Sequence, residues 1–83
     1  MQLLIGKDAI TPQSIQRIAG GVQAVLKGAG LLRVLDAAME GGPRIELLGG
    51  DLDRRPVQVA AIRMAGRDTH VTLICCGAAP GVH

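Results

Sequence analysis

The sequence has no Phe, Tyr or Trp among its 83 residues. That removes aromatic cages and base-stacking platforms, and with them stacking recognition of single-stranded nucleic acid. The core must be built from Leu, Ile, Val, Ala and Met, without the side chains that bury the most area. Cysteine is nearly as scarce, and Cys75 and Cys76 are neighbours that cannot staple distant parts of a fold. Long apolar runs are missing too: nothing approaches the roughly 18 uninterrupted apolar residues of a membrane span, so no membrane insertion is expected. The opening Met1–Asp8 lacks the basic start and long apolar stretch of a secretory signal, which makes the cytoplasm of the producing cell, expected to be bacterial, the expected setting. Charged residues make up only 19% and leave a net charge of +2. A dense basic stripe is therefore absent.

What is present is apolar and glycine-rich. A hydrophobic fraction of 48% with so little net charge excludes a disordered chain. The length allows one domain, expected over residues 1–76 with a flexible tail at 77–83. A domain this small buries only about 60–65% of its unfolded surface. With no staple available, apolar surface is expected to close against another copy of the chain, as a homo-oligomer.

Along the chain, Leu3-Leu4-Ile5 predicts a short N-terminal strand within residues 1–6. Thr11 as a cap and Pro12 at the first helical position then predict a helix over 12–27. On it Ile15, Ile18, Ala19, Val22, Val25 and Leu26 share an arc about 120° wide. Gly28-Ala29-Gly30 ends that helix. A second helix over 31–40 follows from the shared face of Leu31, Leu32, Val34, Leu35, Ala38 and Met39, with Gly41-Gly42-Pro43 as its stop. A strand at 31–36 competes with it, but Ala37-Ala38-Met39-Glu40 suits the helical period better.

Antiparallel strands are expected near 44–48, 57–64 and 69–76, with Ala65-Gly66-Arg67-Asp68 as a hairpin loop. The segment 57–65 also reads as a helix that groups Val57, Ala60, Ala61 and Met64. The fold expected is thus a two-layer α+β domain, a helical layer over a C-terminal antiparallel sheet. The alternative, with 57–65 helical, is a split βαβ arrangement of the ferredoxin-like kind.

Three functional readings follow. The first is a small non-enzymatic interaction or assembly module. It would close on a copy of itself through an exposed sheet edge or through the small-residue surface of Gly20, Gly21 and Ala24. The second is a nucleic-acid-associated protein whose Arg54, Arg55, Arg63 and Arg67 contact phosphates; interleaved Asp51, Asp53 and Asp68 offset much of that charge. The third is a small thiol, metal or histidine-dependent enzyme. There His70 is the candidate general base, oriented by Asp68 or by Asp51 and Asp53, and Cys75 and Cys76 are the candidate metal or redox ligands. Adjacent strand residues point to opposite faces, and no Cys-x-x-Cys spacing completes a zinc site, so the thiols read better as core residues. No cofactor is expected, and the first reading leads.

Overall fold

The computed structural model describes residues 1–39 and 44–76. Strands dominate it. They are β1 (Gln2–Ile5), β2 (Asp8–Ile10), β3 (Ser14–Ile18), β4 (Gly21–Leu26), β5 (Ile45–Leu48), β6 (Pro56–Ala65) and β7 (Asp68–Cys75). The only α-helix among the described residues is α1 (Gly28–Met39), and Gly50–Leu52 forms one 3₁₀ turn. All strands pair antiparallel in one sheet of order β2-β1-β5-β6-β7-β4-β3.

Neither the two-layer α+β domain nor the ferredoxin-like alternative describes this chain. The described residues form a seven-stranded antiparallel sheet with one α-helix, 56% strand and 21% helix with the 3₁₀ turn included. The largest correction concerns residues 12–27, which form the hairpin β3–β4 instead of a helix. Ile18 pairs with Gly21, and only Ala19 and Gly20 lie between them. Two interior glycines would each cost a helix roughly 1 kcal/mol relative to Ala. In a turn they are assets, since Gly20 adopts φ +79°. The β-branched Ile15, Ile18, Val22 and Val25 add to the preference for strands. The segment 57–65 is likewise a strand. The sole helix starts at Gly28, before the expected 31, and the stop expected at Gly41-Gly42-Pro43 falls outside the described residues.

Two turns share one design. Gly6-Lys7 joins β1 to β2, and Gly66-Arg67 joins β6 to β7; each glycine has φ +62° and each turn is followed by an aspartate that opens the next strand. Glycine at the first central position is the requirement of a type II′ hairpin turn.

One face of the sheet carries the core. Directly opposed residues share a face, so the register aligns Leu3 with Leu47, and Ile5 with Ile45 and Val57. The same face continues through Leu73 with Val22, and Val71 with Ala24. All of these residues are buried. Leu26 of β4, Val34 of α1 and Leu52 of the 3₁₀ turn complete the cluster.

The outermost strands, β2 and β3, are joined by only Thr11-Pro12-Gln13. The four steps from Ile10 to Ser14 span at most about 14 Å, against about 29 Å between the outer strands of a flat seven-stranded sheet, so the two ends of the strand order are drawn together and the sheet curls. Gln2 ties the link down by donating from Nε2 to Thr11 Oγ1 at 2.8 Å, and Pro12 is buried.

Candidate functional site

β6 is ten residues long, but β5 pairs only with its first two, through Glu46↔Pro56 and Ile45↔Val57. On its other side β7 accompanies it to the tip. No described residue pairs with Gln58–Ala65 on the side away from β7. Such an edge is a template for another strand, and proteins usually blunt it with charge, proline or shortness. Here Pro56 lies at the paired end and Arg63 is the single charge in Pro56–Ala65.

A bulge decides which side chains line this edge. Val59 opposes Leu73 and Ala61 opposes Thr72, so Ala60 is an extra residue. The insertion exchanges the faces of everything beyond it. Val57 and Val59 face the core before the bulge; Ile62, opposite Val71, and Met64, opposite Thr69, take that face after it. Without Ala60 as an insertion, Arg63 would lie on the apolar face. The result is an apolar strip that begins in the core at Val57, 3% exposed, and runs into solvent through Ile62 at 46% and Met64 at 78%. In the rows containing them, Ala24, Val71, Leu26 and Thr69 are all buried, and the β6 end of each row reaches solvent. A groove of about 270 Å³ between Ala37 and Ala38 of α1 and Val57 to Val59 marks where β5 leaves off.

The four arginines do not form one surface. Arg63 and Arg67 are exposed near the hairpin tip, whereas Arg54 and Arg55 precede the base of β6. Eight residues of strand place Arg55 and Arg63 roughly 25 Å apart. Arg54, with φ +64°, directs its Nε to Glu46 Oε1 at 3.2 Å.

His70 faces Val25 on one side and Arg63 on the other, on the sheet face opposite the core. Of the carboxylates expected to orient it, Asp51 is held by Arg17, and Asp53 Oδ1 accepts from the Gly49 amide at 2.6 Å. Asp68 shares the face of His70 two residues away on β7. Cys75 packs against the core opposite Val57, and the Cys76 amide donates to the Pro56 carbonyl at 3.0 Å. Both thiols are free and half-buried. Among the described residues, no group of three or more His, Cys, Asp or Glu is placed to hold a metal ion.

Gly20, Gly21 and Ala24 share no helix face, since the helix is absent. Gly20 is exposed at a turn, while Gly21 and Ala24 are buried in the sheet. A second cavity, about 410 Å³, opens where β2 and β4 meet the start of α1, floored by Ile10 and Leu26. An ion pair between Arg33 and Asp8 lies at its rim.

Ile62 and Met64 were not singled out by sequence reasoning. The usable signal was a run from Val57 to Ala65 with one charge and no glycine, leading directly into a Gly66-Arg67 turn. No helix among the described residues is long and apolar enough to cross a membrane. Comparison with protein-family models, curated proteins and solved structures finds no match for the chain.

Proposed function

We propose that this chain is a small non-enzymatic assembly module that works as a homo-oligomer. One observation carries the reading: the edge of β6 that no described residue pairs, with Ile62 and Met64 continuing core rows into solvent. Isolated exposed hydrophobes are ordinary on small proteins, but an apolar strip beside eight strand residues that no described residue pairs on the side away from β7 is what strand addition uses. The sparse charge of the chain supports the reading, because nothing on this edge repels a copy of itself except Arg63. A cytoplasmic setting belongs to the same proposal, and the two free thiols suit a reducing compartment.

Sedimentation velocity at micromolar concentration tests it. The expected result is a species of two or more chains whose population grows with concentration. A single-chain mass throughout would overturn the proposal.

A further inference from the structure

We infer that the β6 edge is occupied by the β6 of a second copy, paired antiparallel about a two-fold axis that places Ile62 opposite the partner's Ile62. This rests on the homo-oligomer reading and specifies its geometry.

The axis follows from the faces. If it stands normal to the joined sheet, both apolar faces stay on one side, where α1 and the core lie in each copy. Residues directly opposed in an antiparallel ladder share a face. Under that symmetry some residue of β6 must therefore face its own copy.

The hairpin decides which residues can sit there with free backbone groups. A two-residue turn is closed by hydrogen bonds between its flanking pair, here Ala65 and Asp68. Bonding alternates along the ladder, so the Arg63–His70 pair is bonded too, and the N–H and C=O of Ile62 and Met64 point to the open side. Ile62 at the axis would exchange two hydrogen bonds with its copy.

Charge and size agree with that register. Centring on Arg63 would bring two guanidinium groups face to face, and like charges directly opposite are destabilising. Centring on Ile62 puts Arg63 opposite the partner's Ala61 and Met64 opposite the partner's Ala60, large against small. It also completes the rows: Ala24, Val71 and Ile62 would meet the same three residues of the partner in reverse order. The half-exposed Ile62 would become the centre of one apolar band across both copies.

The test uses opposite charges at one position. Ile62→Lys should weaken self-association about 100-fold or more, because two ammonium groups would face each other at the axis. Ile62→Glu should do the same. An equimolar mixture, one variant labelled with ¹⁵N, should re-form a dimer that native mass spectrometry identifies as mixed. Circular dichroism and urea midpoints check that each variant is folded; Ile62 is exposed enough in the single chain for both to be tolerated. Wild-type-like association of either variant, or folded variants that fail to associate when mixed, would overturn the register while leaving the assembly reading standing. A wild-type chain that is monomeric throughout would overturn the assembly reading and this inference together.

Discussion

The carbonyl oxygen of Leu73 occupies the place where a side chain on Gly21 would begin: a Cβ built there lies 1.9 Å from it. β4 and β7 pair at this point, and Gly21 opposes Ile74. Replacement of Gly21 by Ala must push backbone away from backbone. It should cost about 3 kcal/mol, the upper range for overpacking a buried site. Gly20→Ala meets open space and only the penalty for a positive φ, about 1 kcal/mol. Urea denaturation of the two variants checks the order, and equal costs would contradict the close approach.

Arg17 and Asp51 supply a prediction about acid. Arg17 donates to both carboxylate oxygens, each at 3.3 Å, and joins β3 to the 3₁₀ turn. These bonds hold the Asp51 carboxyl below its ordinary value of 3.8. A lowered folded value means that the bridge stabilises fully above the ordinary value. That stabilisation is lost as pH falls through the folded one. Both side chains are well exposed, so the effect is small and salt-sensitive. Asp51→Asn should lower the urea midpoint at neutral pH, and the gap from wild type should close as pH falls through the lowered folded value. A gap that is independent of pH would count against the bridge.

Chirality tests the hairpin tips. Gly66 adopts φ +62° in open space, so L-alanine there should cost about 1 kcal/mol and D-alanine should be neutral or stabilising. Chemical synthesis of a chain this short makes both accessible. Gly6 has the same φ and should show the same order.

The helix should depend on one buried contact. Val34 is fully buried and Leu32 on the same helix is 62% exposed. Val34→Ala should cost about 2 kcal/mol, whereas Leu32→Ala should stay within about 0.5 kcal/mol. Thermal unfolding would separate them, and similar losses would mean that α1 is seated on another face.

The strands β5 and β7 were legible from alternation and β6 from the Gly66-Arg67 turn that follows it, and α1 was legible from its 3.6-residue period. The hairpin β3–β4 was hidden by coincidence. Ile15, Ile18, Val22 and Val25 are spaced as on a helix, and Thr11-Pro12 imitates a helix start. The two central glycines were the contrary evidence, and tertiary pairing with β7 makes them necessary. β2 escaped notice although Gly6-Lys7-Asp8 repeats the pattern of Gly66-Arg67-Asp68. The ambiguity of 57–65 has a single source, since the bulge at Ala60 breaks the two-residue period and mimics a helical one. An exposed sheet edge was expected, but its place on β6 could not be read. It depends on β5 stopping after two pairs, a non-local fact.

The strand order also sets a sequence of events in time. β7, the last strand described, stands between β6 and β4 and joins the β2-β1-β5-β6 portion to β4-β3. During synthesis the β3–β4 hairpin has no sheet to enter until β7 leaves the ribosome, some forty residues later than its partner β4. A nascent chain stalled before Asp68 would carry two unjoined pieces of sheet, each with a bare edge. Completion of this fold therefore waits for β7, and the interval before it is when the chain is most open to mispairing with its neighbours.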